Sequence, residues 1–369
     1  MNAYIEEIKP YQAASHDIWN FDKEDFSRCL KLDWNESTLP PSPKVQERIL
    51  ELAKDPYFFQ WYPNTSNLKL LEAIGDYVGV KKENIQVFSS SDALHEYIAR
   101  VWLMQGNKVL LMWPTYDNFR LTVESYGAKA LYYEMDYFSF NGEKMAGLIE
   151  CNKPKMVYIC NPNNPTGEGI DLNCLKKIIY NNRNCLFVLD EAYVEYSGKS
   201  LAIEATKVNN LLVSRTFSKA FGLANFRIGY LVSSVDNIKA ISKIRNAKSI
   251  STFAQEAAIA ALDDLAYMQQ YVQDVIQARE FFIKQIKKLK KNIHIYPSDA
   301  NFVLMAFESS LIRDRLVDFL KEKKIFIRKL YQSNSLSKSV RISIGTMEQM
   351  KFVLKNIEEF LENYEDCGV

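Results

Sequence analysis

Lys219 lies in the run Ser214-Arg215-Thr216-Phe217-Ser218-Lys219-Ala220-Phe221-Gly222-Leu223, just past the apolar stretch Leu211-Leu212-Val213. That stretch reads as a buried parallel strand whose end delivers the lysine into a cleft. A lysine held there is poised to form a Schiff base with a carbonyl compound. Thr216, Ser218 and Arg227 flank it with two hydroxyls and a permanent cation, donors suited to a phosphate monoester beside the amine. The alternative is a solvated lysine, one of 46 lysines and arginines.

Other chemistry-bearing residues fall at the ends of similar runs. Leu186-Phe187-Val188-Leu189 ends in Asp190, and Tyr193 follows three positions on. A carboxylate at a strand's carboxyl end can keep a heteroaromatic ring nitrogen protonated and make the ring an electron sink, with the tyrosine reaching a ring oxygen. The plainer reading of Asp190 is a helix or turn cap. Asn161-Pro162-Asn163-Asn164-Pro165-Thr166-Gly167 is fixed by two prolines and a glycine, so Asn164 can present its amide as a donor. Ser89-Ser90-Ser91-Asp92 lies between a strand and a helix, where Ser91 and the first free amides make an anion site, or simply a cap. Tyr116, in Trp113-Pro114-Thr115-Tyr116, can stack on a planar ring or serve as a core aromatic.

The elements that must position these residues alternate. Strands are expected at 85–88, 108–112, 129–133, 156–160, 186–190, 211–214 and 228–232, with helices at 67–78, 92–104, 118–126 and 172–180. This is the pattern of an α/β fold with a mostly parallel, doubly wound sheet, in which ligands sit outside the strand ends. From about residue 236 long helical periodicity runs to 291, followed by strands at 293–296, 302–305 and 340–344 and helices at 311–323 and 347–364. That portion reads as a smaller α+β domain, with the amino-terminal segment, including a helix at 44–54, packed on it. The expected division is 1–55 as an arm and part of the small domain, 56–265 as the large domain, and 266–369 as the rest of the small one.

Composition excludes several classes. With 46 basic and 45 acidic residues the formal charge is +1, so neither nucleic acid nor a membrane surface is an expected partner. Six cysteines stand without a Cys-x-x-Cys pair, which suits reduced thiols in a cytoplasmic protein. The three histidines, His16, His95 and His294, are far apart and lack neighbours at ligand spacing, so no metal site is expected. The first residues carry neither a basic start nor an apolar run, and no stretch approaches a membrane span, so a soluble, unprocessed chain is expected. The lysines of 284–291 read as a solvated helix face.

Taken in order, Asn161 to Gly167, Asp190 with Tyr193, Ser218-Lys219-Ala220-Phe221-Gly222 and Arg227 resemble the fold type I pyridoxal-phosphate aminotransferases. Within them the chain looks like the histidinol-phosphate aminotransferase branch, through Ile8-Lys9-Pro10-Tyr11, Asp33-Trp34-Asn35-Glu36-Ser37 and Val340-Arg341-Ile342-Ser343-Ile344-Gly345-Thr346. The resemblance implies pyridoxal 5'-phosphate as cofactor, with Lys219 forming the Schiff base and moving the proton, Asp190 on the pyridine nitrogen, and Asn164 and Tyr193 at the ring oxygen. It places Ser90, Ser91, Thr216, Ser218 and Arg227 on the cofactor phosphate, stacks Tyr116 on the ring, and sends Tyr62 into a partner subunit's site, which implies a homodimer. It assigns Arg341, Arg328 and Asn35 to the substrate. Two arginines are costly to bury without anions, so a doubly anionic or phosphorylated substrate follows, unless Arg328 is a surface residue.

The implied reaction transfers an amino group from an amino acid, glutamate by expectation, to a small phosphorylated ketone or aldehyde. A decarboxylase of an O-phospho amino acid would carry the same cofactor residues. A non-catalytic regulator on this fold would need a DNA-binding segment, and a nucleotide-binding protein a glycine-rich fingerprint; neither is present. Two departures from the branch fall near the site: Ser90-Ser91-Asp92-Ala93, where a glycine and a glutamate are usual, and Ala224-Asn225-Phe226-Arg227, where Ala-Gly-Leu-Arg is usual. Ser15-His16-Asp17-Ile18-Trp19 has no clear counterpart in the branch, and His16 is either an arm residue reaching the substrate or a solvated histidine.

Overall fold

Strands that are apolar along their whole length need cover on both faces, and here helices supply it on either side of a seven-stranded sheet. The computed structural model describes residues 3–10, 17–26, 28–135, 138–289, 293–331 and 334–366; Tyr11 and His16 lie outside them. In chain order the strands are β1 (Leu30–Leu32), β2 (Ile85–Phe88), β3 (Lys108–Trp113), β4 (Lys129–Glu134), β5 (Met156–Cys160), β6 (Leu186–Asp190), β7 (Leu211–Thr216), β8 (Gly229–Val232), β9 (Ile293–Ile295), β10 (Phe302–Phe307), β11 (Ile325–Lys329) and β12 (Ser339–Ser343).

The large sheet has the order β2-β8-β7-β6-β5-β3-β4. Only β8 runs against its neighbours; the pairs from β7 through β4 are parallel. Every residue of β5, β6 and β7 is buried, as the apolar runs Met156–Cys160, Leu186–Leu189 and Leu211–Val213 require, and the polar end of β7, Ser214 to Thr216, is buried with them. Because β2 and β7 both oppose β8, the ends of β2, β3, β5, β6 and β7 all open on one rim. Ser90, Trp113, Asn161, Asp190 and Thr216 stand at those ends, so the topology alone gathers the predicted motifs.

The second sheet has the order β1-β11-β12-β10-β9, antiparallel except where β1 lies parallel to β11. Thus the amino-terminal segment joins this sheet by strand pairing. The helices Leu265–Lys288, Ser310–Glu322 and Met347–Asp366 pack on the strands and on one another. One apolar core runs through both layers, from Leu189 and Val213 to Phe302 and Ile342.

Two details differ from the sequence reading. The long helical stretch is three helices, Val235–Ser242, Thr252–Leu262 and Leu265–Lys288, because Ser251 caps the second through the Ala254 amide and the Asp263-Asp264 pair interrupts the run. Strands β1 and β11 were not foreseen; both are short, and β11 is bracketed by lysines that mask its apolar core. The exposed Lys284, Lys287 and Lys288 form a solvated face, as expected.

Candidate active site

Gly229 shows how the anion cradle is assembled. In β8 it sits between Phe88 of β2 and Thr216 of β7, so the Ser90-Ser91 turn and the Thr216-Ser218 turn lie one strand to either side of it, about 10 Å across in all. A Cβ on Gly229 would lie 2.8 Å from the Ser91 amide nitrogen and 2.8 Å from the Arg215 carbonyl, so only glycine permits this approach. Ser90 caps the helix Ser91–Trp102 by accepting the Ala93 N–H at 3.1 Å, leaving that helix's first amides and the Ser91 hydroxyl at the rim. Thr216 Oγ1 donates to Ser218 Oγ at 3.0 Å and accepts the Ser218 N–H at 3.1 Å, which folds the β7 exit back on itself. Arg227, on the turn into β8, reaches Asp92 at 3.4 Å with half its side chain exposed. Ser90, Arg227 and Asn35 all hold positive φ (115°, 52° and 56°), a strain that three non-glycine residues carry at one site.

Lys219 is half-buried, and its amine donates to the Trp34 carbonyl at 2.9 Å and lies 5.9 Å from the centre of the Tyr193 ring. Removal from water and the neighbouring Arg341 cation lower its pKa from 10.5 to about 8, against the pull of Glu36 and Asp92. At pH 7 about one amine in ten is therefore a free base, against about one in three thousand for an ordinary lysine. Glu36 is itself tied to Lys31, which also pairs with Asp33 at 3.0 Å.

Asp190 ends β6 with 3% of its surface exposed. Tyr158 Oη donates to its Oδ2 at 2.8 Å and the Ala192 amide to its Oδ1 at 3.1 Å. Burial raises its pKa, while His95, Tyr158 and the Ala192 amide hold it down. Tyr193 is buried; Asn35 Nδ2 donates to its hydroxyl at 3.0 Å, and burial raises its pKa. Asn35 is held in turn by Ser343, which donates to its Oδ1 at 3.2 Å, and by Asn301, which donates to its carbonyl at 3.1 Å. Its side chain therefore orients Tyr193.

The rigid loop after β5 is pinned through Asn163, which accepts from Thr115 at 2.9 Å and donates to the Pro114 carbonyl and Thr166 at 2.9 Å each. This leaves Asn164 beside Arg341, whose Nη1 donates to its Oδ1 at 2.6 Å while Nη2 donates to the Asp33 carbonyl at 2.6 Å. The Asn164 amide keeps its donor for a ligand. Arg341 and Arg328 are directly paired across β12 and β11, so both guanidinium groups issue from one face of the sheet, and both residues are buried. Arg328 also lines a cavity of about 440 Å³ with Lys9, Trp113, Arg120, Tyr132 and Tyr331. Arg120, clamped by Asp117 and Glu124 at 2.6 Å each, donates to the Lys9 carbonyl at 3.1 Å and so ties the amino-terminal segment over that cavity.

The fold thus brings together Lys219, Asp190, Tyr193, Asn164, Arg341 and Asn35, and at the adjoining rim Ser90, Ser91, Thr216, Ser218, Arg227 and Tyr116. Tyr116 Oη donates to Asp92 at 2.9 Å. Tyr62 stands apart on the surface, 77% exposed, with Lys248 over its ring at 4.3 Å. Two residues escaped the sequence reading. Asp92 links Arg227, Tyr116 and Asn118, and His95, set aside in the test for zinc, lies under Asp190. Their one signal was spacing: residues four apart share a helix face, which aligns His95 with Ser91.

A seven-stranded, mostly parallel sheet whose strand ends gather a lysine of lowered pKa and a buried carboxylate has the make-up of a carbonyl-chemistry enzyme of the α/β class. Residues 27–357 match the family of class I and II aminotransferases, and the chain belongs to it. It is an aminotransferase. A dihydroxyacetone phosphate transaminase of Campylobacter jejuni subsp. jejuni is 41% identical over 97% of this chain and 96% of its own. A histidinol-phosphate aminotransferase of Ruminiclostridium cellulolyticum is 33% identical over 96% and 98%. Among solved structures, a histidinol-phosphate aminotransferase from Sinorhizobium meliloti in complex with pyridoxal-5'-phosphate superposes with a TM-score of 0.87 over 99% of this chain and 98% of that one, at 24% identity. The fold type I architecture expected from the motifs is the one observed.

Proposed function

We propose that this aminotransferase uses pyridoxal 5'-phosphate to move an amino group from an amino acid, glutamate by preference, to a small phosphorylated ketone or aldehyde. When bound, that cofactor supplies the electrophilic carbonyl and the electron-withdrawing ring. Lys219, with its low pKa, offers the nucleophilic amine and the base that moves a proton at the substrate carbon. Asp190 would hold the ring nitrogen's proton, Asn164 and Tyr193 would meet the ring oxygen, and Tyr116 would cover the ring. The cradle of Ser90, Ser91, Thr216, Ser218 and Arg227, drawn together across Gly229, matches a phosphate monoester in donor chemistry.

The observation that carries the substrate class is the register pair of Arg328 with Arg341. Two buried cations at paired positions of adjacent strands suit a ligand with two anionic groups, and the cavity beside Arg328, which Glu7, Asp117 and Glu124 also line, gives it room. The 41% identical relative, a dihydroxyacetone phosphate transaminase, favours a three-carbon acceptor for the first trial. The experiment offers dihydroxyacetone phosphate, imidazole acetol phosphate and their unphosphorylated counterparts with nitrogen-labelled glutamate, and follows the label by mass spectrometry. Transfer to phosphorylated acceptors alone supports the reading; transfer to ordinary keto acids alone refutes it, and carbon dioxide release without label transfer favours the decarboxylase.

The reading extends to a homodimer in which Tyr62 enters the partner's site. Its support is the exposed aromatic cluster of Tyr57, Phe59, Trp61 and Tyr62, between 52% and 77% exposed. Division at residues 1–55, 56–265 and 266–369 follows the two sheets, with β1 given to the smaller unit. A cytoplasmic setting suits the free thiols of Cys29, Cys151, Cys160, Cys174 and Cys185. No helix among the described residues is long and apolar enough to cross a membrane.

A further inference from the structure

His95 is completely buried in the helix Ser91–Trp102, the helix whose first turn forms part of the anion cradle. Its Nε2 lies 3.2 Å from Ser214 Oγ on β7 and 3.9 Å from Asp190 Oδ2 at the end of β6. Phe119 and Tyr158 meet its ring edge to face, at 5.2 and 5.6 Å. Its Nδ1 is buried with no hydrogen-bond partner among the described residues. An imidazole in that position gives up solvation at one nitrogen, a loss that an apolar side chain among the same aromatic rings would avoid. What it gains is the approach of the other nitrogen to Asp190.

Asp190 needs that help. The groups that donate to it, the Tyr158 hydroxyl and the Ala192 amide, are neutral, and so are its strand neighbours Cys160 and Ser214. A lone carboxylate in so dry a place tends to take up a proton, and a protonated Asp190 would no longer attract a protonated ring nitrogen.

We propose that His95 is a positioning residue for Asp190. Through Nε2, and with Ser214 and Tyr158, it holds the carboxylate ionised and oriented toward the cofactor's ring nitrogen. The proposal rests on the assignment of pyridoxal phosphate to this site. Its consequence is specific: His95 contributes to binding only through that nitrogen, because it acts through Asp190 and touches neither the cradle nor Lys219.

The test compares wild type with His95→Phe and His95→Gln for affinity toward pyridoxal phosphate and toward its 1-deaza analogue, in which carbon replaces the ring nitrogen. Binding to apoenzyme is followed by cofactor absorbance, and folding by circular dichroism. The expected result is about tenfold weaker binding of pyridoxal phosphate to His95→Phe, the loss typical of a charge-assisted contact, with unchanged binding of the analogue. His95→Gln, which keeps a polar donor in place of the ring nitrogen, should fall between, and it carries the comparison if His95→Phe does not fold. Equal loss for both ligands would assign His95 a packing role and overturn the proposal, as would no loss for either. Failure of wild type to bind pyridoxal phosphate at all would instead refute the cofactor assignment.

Discussion

The depressed basicity of Lys219 can be read without any cofactor by trace labelling with formaldehyde and cyanoborohydride, using the exposed Lys284 as an internal reference. Only a free amine reacts. With a pKa of about 8, Lys219 is deprotonated at pH 7 about three hundred times more often than a lysine at the ordinary 10.5. Restricted access lowers its rate by one factor at every pH, so it moves the height of the curve and not its midpoint. Peptide mass spectrometry from pH 6 to 11 should give a midpoint near 8 for Lys219, well below the ordinary lysine value. Arg341 is the largest charge acting against protonation, so Arg341→Gln should move the Lys219 midpoint upward, each tenfold loss of free base at pH 7 costing about 1.4 kcal/mol of differential stabilisation. The loss should vanish above pH 11, where both forms are neutral. A wild-type midpoint near 10.5, or a variant midpoint that stays put, would refute the electrostatic account of this lysine.

Arg328→Gln should raise the KM for a phosphorylated acceptor by about a hundredfold, the worth of one charge-assisted pair, while leaving the glutamate half-reaction within about twofold; steady-state kinetics with each substrate varied checks it. Asn35→Ala should destabilise the protein by about 1–3 kcal/mol in urea, because the Tyr193 and Ser343 hydroxyls lose a buried partner. Gly167→Ala should cost a similar amount, about 1–3 kcal/mol, through its φ of 82° and a Cβ placed 2.4 Å from Ser298 Oγ; adding Ser298→Gly should recover the clash but not the backbone strain. Burial pushes the Glu195 carboxyl from 4.5 up to about 7. The native state there keeps a proton that the unfolded chain has released, so stability should fall as pH rises between those values, and Glu195→Gln should flatten that part of the profile in a denaturation series.

Much of this enzyme was legible in its sequence because buried parallel strands announce themselves. Runs such as Met156–Cys160 and Leu186–Asp190 are apolar on both faces, and their ends name the loops where ligands gather. The order of Asn164, Asp190, Tyr193, Lys219 and Arg227 along those ends was therefore readable before their geometry. The sequence could not reveal contacts made across many strands. The pairing of Arg328 with Arg341 depends on the register of β11, a strand too short and too lysine-flanked to be seen. The bond from Asn35 to Tyr193 spans 158 residues, and the approach of His95 to Asp190 requires a helix to cross the sheet. Periodicity records which face of an element is buried, whereas register and crossing decide what that face meets. The basicity of Lys219 belongs to the second kind: its residue type made imine chemistry available, and burial beside Arg341 gave it a free amine near neutral pH.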